Sequence, residues 1–148
     1  MTVNPADENA ATDMRGRVEE VFADPSVRSL AQAAERGRVR DMEKLLAQGV
    51  EVNAAGRFGI TPLWWAIRTK SKKGFAFLLT HGACPNPKVS TITVMEMAAG
   101  YEDSYYLETI LPYKPDLGRV GGDERRTPLE AAIFYNRRHH LELLIKAG

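Results

Sequence analysis

Cys84 lies three residues after His81, a spacing that suits a thiol–imidazole pair or one half of a metal site. His139 and His140 are adjacent near the end of the chain. With three histidines and one cysteine in all, a closed metal centre has no further ligands that the spacing nominates. The Gly-x-Ser-x-Gly elbow, the Walker-type phosphate loop and the dinucleotide fingerprint do not occur, so the pattern points away from an enzyme and toward no cofactor. Two kinds of residue remain that do chemistry without catalysis. One is the aromatic pair, Trp64-Trp65 and Tyr105-Tyr106; the other is the cationic cluster, Lys70-Ser71-Lys72-Lys73, Arg125-Arg126 and Arg137-Arg138. The lysine run reads as a solvated turn between helices, and acidic neighbours at Asp123, Glu124 and Glu142 temper the arginine pairs.

Composition narrows the classes further. A chain of 148 residues with 44% hydrophobic content builds one core, and a formal charge of +1 argues against nucleic acid as the main partner. One cysteine excludes an internal disulfide framework and an all-cysteine zinc site. No apolar run approaches the ~18 residues of a membrane span, so no membrane insertion is expected. Met1 to Ala11 is polar and acidic, which predicts a flexible segment rather than a signal peptide. As written the chain reads as cytoplasmic, and as periplasmic if a leader has been removed.

The elements that position these residues recur. Thr61-Pro62-Leu63 is followed by Ala66, Leu78-Leu79, Gly82-Ala83 and Asn86. Thirty-two residues on, Thr93-Val94-Met95 leads to Ala98, Ile110-Leu111 and Asp116. Thirty-four further, Thr127-Pro128-Leu129 leads to Ala132 and Leu144-Ile145; thirty-three back from Thr61, Arg28-Ser29-Leu30 leads to Ala33, Leu45-Leu46 and Asn53. In each copy the second aliphatic of the pair lies eighteen residues after the Thr position. Thr-Pro opens a helix well, because the hydroxyl caps free N–H groups and proline at the first position forfeits no bond. Leu63, Ala66 and Ile67 share one helical face, and Gly82 suits a helix C-terminus. Such a unit buries its apolar face only against neighbours.

These residues resemble the ankyrin repeat, a unit of about 33 residues with a β-turn and two antiparallel helices. The resemblance implies an all-α ankyrin-repeat solenoid of about four helix pairs with projecting hairpin fingers. It covers one domain, 12–148, with repeats at about 24–56, 57–88, 89–122 and 123–148. Met14, Val18, Val21 and Phe22 are spaced as an amphipathic capping helix over 12–23. Segment 82–91 reads as a stiff turn and segment 114–126, with Pro115, Gly118, Gly121 and Gly122, as a pliable one. The last pair ends on an uncovered apolar face, which leads to the expectation of a homodimer or a longer natural chain.

The resemblance also assigns roles. His81 takes an ordinary helix-end position, and Cys84 stands where an acidic residue is usual. Trp64 replaces a histidine that braces the neighbouring turn, and Trp65 lines the concave side. The positions that vary freely in this architecture carry a partner-binding set: Arg57, Phe58, Ile60, Trp65, Arg68, Val89, Ser90, Tyr101, Glu124, Arg126, Phe134 and Tyr135. Aromatic and arginine side chains of this kind dominate interface energetics. The implied function is non-catalytic protein binding. The stretches 59–86 and 97–115 look similar to bacterial stand-alone ankyrin proteins, among them immunity proteins that occlude a type VI secreted effector such as a phospholipase. A general adaptor is the alternative.

Overall fold

The computed structural model describes residues 17–122 and 125–148. Its helices are α1 (Val18–Val21), α2 (Pro25–Glu35), α3 (Val39–Ala47), α4 (Pro62–Arg68), α5 (Lys72–Thr80), α6 (Val94–Gly100), α7 (Tyr105–Ile110), α8 (Pro128–Phe134) and α9 (Arg138–Ala147). Single 3-10 turns occur at Arg57–Gly59 and Leu111–Tyr113, and no strand occurs among the described residues. Segment 1–16 lies outside them, so the expected flexible terminus and Met14 of the expected cap are not described.

The helix starts follow from capping chemistry. Thr61, Thr93 and Thr127 each accept a hydrogen bond from the backbone N–H three residues on, at 3.4, 3.0 and 3.2 Å. At α8 the exchange is reciprocal: Thr127 N–H donates to the Glu130 carboxylate at 2.9 Å, and these Thr127 bonds hold Glu130 below the usual carboxylate range. In the first copy the start differs from the expected register. Asp24 caps α2 by accepting from Ser26 N–H, and Pro25 takes the first helical position. The helix therefore begins one turn before Arg28-Ser29-Leu30.

The helices pack as successive antiparallel pairs, α2 with α3, α4 with α5, α6 with α7 and α8 with α9. The first members also contact one another in order, α2 to α4 to α6 to α8. Ala33, Ala66, Ala98 and Ala132 are buried at these contacts, where a small side chain lets helices approach. All seven residues of α4 and all seven of α6 are buried. At one end Val18, Val21 and Phe22 cover the first pair. At the other, Leu129, Ile133 and Ile145 remain 41%, 62% and 63% exposed.

Polar braces hold the segments between pairs. Asn53 donates to Gly82 carbonyl at 3.0 Å and accepts from Cys84 N–H at 2.7 Å; one repeat later, Asn86 donates to Asp116 carbonyl at 3.2 Å and accepts from Asp116 N–H. Segment 114–126 reads as pliable by composition, yet Gly121 within it is held closely. A Cβ on Gly121 would overlap the Thr91 carbonyl, so glycine serves close backbone approach there. Gly59, at φ 78°, lies equally close to the Lys88 carbonyl.

Candidate protein-binding surface

Phe58 sits on the 3-10 turn between the first and second pairs at φ 61°, ψ 14°. A bulky side chain in the left-handed region costs roughly 1 kcal/mol or more. The ring gains little burial in exchange, being 44% exposed. Gly56 precedes the turn and Gly59 ends it, and Phe58 carbonyl accepts from Ser90 N–H at 2.9 Å, which ties it to the next segment. The Arg57 guanidinium carbon lies 5.2 Å from the Phe58 ring centre. The outcome is an arginine–aromatic pair held out in solvent by rigid backbone.

A second such pair stands at the fourth copy. Phe134, at the end of α8, is 55% exposed, and the Arg126 guanidinium carbon lies 3.6 Å from its ring centre. Tyr135 packs edge-on to Phe134 at 4.9 Å. Arg126 is held from beneath by a buried acid. The Glu96 carboxylate accepts from both Arg125 Nε, at 3.1 Å, and Arg125 Nη2, while Arg126 Nη1 lies 3.8 Å away. Two guanidinium groups around one fully buried carboxylate compensate its desolvation. Glu96 thereby positions segment 125–126 from a neighbouring repeat.

The fold separates the twelve residues of the expected binding set. Arg57, Phe58, Ser90 and Phe134 are exposed and Arg126 is half-buried. Glu124 lies outside the described residues. Ile60, Trp65, Arg68, Val89, Tyr101 and Tyr135 are buried, which corrects the expectation that they face a partner. Ile60 is fully buried, and Val89 is buried beside the exposed Ser90 in sequence. Trp65 is covered by the Phe22 ring, 6.1 Å away and edge-on, and its indole N–H donates to Glu35 at 2.8 Å. Tyr101 donates its hydroxyl to Ile67 carbonyl at 3.0 Å. Trp64 does brace the neighbouring segment: its indole N–H donates to Ile92 carbonyl at 2.6 Å.

Sequence reasoning passed over Glu96, Asn53 and Asn86 as functional positions. The available signal for Glu96 was a lone acid inside Val94-Met95-Glu96-Met97-Ala98-Ala99-Gly100. For the asparagines it was their recurrence thirty-three residues apart.

The histidines have structural partners, and the Cys84 thiol is free. His81 Nδ1 is 2.8 Å from Phe77 carbonyl, and its ring stacks on Phe77 at 3.9 Å. Cys84 is exposed. His140 is buried with Nδ1 donating to Ala99 carbonyl at 2.9 Å, while His139 is exposed and 3.5 Å from Glu108. Burial holds the His140 imidazole below its ordinary range; Arg137 and His139 act in the same direction, and the Ala99 carbonyl and Glu108 oppose it. Among the described residues no group of three potential metal ligands occurs, and no helix is long and apolar enough to cross a membrane.

No family model matches the chain. Over 72 residues it is 29% identical to an ankyrin repeat domain-containing protein, oryK, of Aspergillus oryzae (strain ATCC 42149 / RIB 40). The match spans 49% of this chain and only 12% of that protein. This likeness and the helix-pair packing support an ankyrin-repeat nature.

Proposed function

We propose that this chain is a non-catalytic protein-binding module: an ankyrin-repeat solenoid of about four helix pairs, capped at its first pair, whose inter-repeat segments project as fingers. The domain runs over 12–148 with the repeat divisions given by the sequence. Its contact surface is centred on Arg57, Phe58 and Ser90 at one finger and on Arg126 and Phe134 at the fourth copy, with Glu124 beside the latter in sequence. The observation that carries this reading is Phe58, an exposed aromatic at positive φ with a guanidinium over its ring. Strain without burial stabilises nothing in the isolated chain, and such outliers concentrate at functional sites. Rigid aromatic and arginine anchors are the side chains from which protein interfaces draw most of their energy.

The finer reading is an immunity protein that neutralises a secreted effector by covering its active site or its mobile lid. The resemblance of 59–86 and 97–115 to bacterial stand-alone ankyrin proteins supports it. An effector acting on lipid would place the protein in the periplasm. A general adaptor uses the same surface against a cellular partner.

The test compares the wild-type chain with Phe58→Ala/Arg126→Ala as paired baits on bacterial lysate and envelope fractions. Phe58 is at the surface, and Arg125 still pairs with Glu96 when Arg126 is replaced, so the two baits should have the same helical content. A partner retained by the wild type and weakened at least tenfold in the variant is expected. If that partner is a hydrolase whose activity falls in proportion to added chain, occlusion is supported. A non-hydrolase selects the adaptor, and equal retention on both baits sinks the assignment of this surface.

A further inference from the structure

Away from the fingers, the tight turns that join the two helices of each pair form an edge of different character. The first turn and the start of α3 carry Arg36, Arg38 and Arg40, and the second turn and the start of α5 carry Lys70, Lys72 and Lys73. These turns touch: Gly37, at φ 65°, is packed so that a Cβ there would lie 3.4 Å from Lys73 Cβ. Ser71 donates its hydroxyl to Ala34 carbonyl at 2.6 Å, which fixes the second turn on the end of α2. Lys72 alone of these cations is neutralised, by Asp103 at 2.7 Å. Glu35, the acid closest in sequence to the first turn, is occupied by the Trp65 indole. Among the described residues Arg36, Arg38, Lys44 and Lys73 form no ion pair. The two turns and the helix starts beside them thus carry six of the chain's twenty basic residues, with Glu35 and Asp41 as their near acids.

That edge opens into a cleft. Between α2 and α3 lies a space of about 270 Å³ lined by Ser29, Gln32, Arg36, Arg38, Asp41, Lys44 and Gln48, among others. Three cations face one acid there, with two amides and a hydroxyl to serve a peptide backbone. Nothing in the contact surface around Phe58 and Arg126 uses these residues.

We propose that this cleft and the adjoining second turn bind an acidic, extended stretch of a partner polypeptide. One carboxylate seats among Arg36, Arg38 and Lys44, and the peptide continues over Lys70 and Lys73. The spacing suits a strand. Stacked helices lie roughly 8–10 Å apart, and an extended chain advances about 3.3 Å per residue, so every third residue meets the next turn. A nucleic-acid backbone suits it less. Asp41 in the cleft and Asp103 on the edge would face its uniform negative charge, and the molecule as a whole lacks a basic excess.

The probe is a fluorescein-labelled twelve-residue peptide of Glu-Thr-Ser repeated four times, titrated with the full chain and read by anisotropy. Its Lys-Thr-Ser counterpart and a twelve-nucleotide single-stranded DNA serve as comparisons. The acidic peptide should bind and weaken at least threefold between 50 and 200 mM salt, because the contacts are exposed ion pairs. Arg36→Gln/Arg38→Gln/Lys73→Gln should lower its affinity at least tenfold. Lys88→Gln/Lys114→Gln/Lys146→Gln, equal in charge change but elsewhere, should lower it less than twofold. Equal loss in the two triple variants would reduce the effect to net charge and overturn the site. Tighter binding of the DNA than of the acidic peptide would overturn the partner class. Circular dichroism on both variants separates lost binding from lost fold; if the cleft triple unfolds, Arg38→Gln alone should still weaken the peptide at least threefold, and no weakening overturns the proposal. Retention on the Phe58→Ala/Arg126→Ala bait is a separate readout, so either surface can fail without the other.

Discussion

Glu96 is the one ionisable residue of α6, and its carboxylate has no exposure to solvent. Its place is tolerable because Arg125 and Arg126 approach from the next repeat. Removing one partner of a buried ion pair leaves the other desolvated and alone, at a cost of about 3–5 kcal/mol. Glu96→Leu and Arg125→Met should each lower stability by about 3 kcal/mol in urea titrations, and the double variant should lose at least ~1 kcal/mol less than the sum. Additive losses would show that the pair is not coupled. Trp64 and Trp65 show how far residue-scale reading reaches. The role of Trp64 was legible, because its place in the repeat demands a group that reaches the neighbouring segment. Trp65 was misread because helical geometry gives a direction but not what covers it. Here Phe22, forty-three positions earlier in the chain, closes over the indole, and Glu35 takes its N–H.

At the scale of elements, the helix starts were legible wherever Thr opens them, since capping is local chemistry. The start of α2 was not, because Asp24 and Pro25 set it locally, outside the repeat spacing that aligns Arg28 with the Thr positions. Connecting segments were the least legible. Glycine in 114–126 suggested freedom, whereas Gly121 permits contact with the Thr91 backbone. Gly121→Ala should therefore destabilise the chain by about 1–3 kcal/mol, as overpacking against backbone does. Gly118 has only the Asp116 side chain within 4 Å, at 3.5 Å. Gly118→Ala should stay within about 0.5 kcal/mol of wild type. Matched thermal melts of the two variants check this, and equal effects would return the segment to the pliable reading.

For the whole molecule, the order of contacts makes each pair depend on its neighbours, and the fourth pair packs on the third through α6 and α8. His140 joins that pair to the third through Ala99. Its folded pKa is depressed, so the unfolded chain takes up the proton first. The stability that depends on it is complete above the ordinary histidine value near 6.5 and is lost as pH falls through the lower folded value. The urea midpoint of the wild type should drop between pH 7.5 and 5, and His140→Gln should flatten that part of the profile. An unchanged slope in the variant would assign the acid sensitivity elsewhere. The all-helical class was legible at this scale because helix starts and aliphatic pairs recur; the burial of Trp65 and Tyr101 was not, because it depends on which neighbour covers each side chain. The complete burial of α4 and α6 carries a consequence for diversification. A display library built on this chain should hold those fourteen residues fixed and vary Phe58, Ser90 and Phe134, whose side chains are exposed.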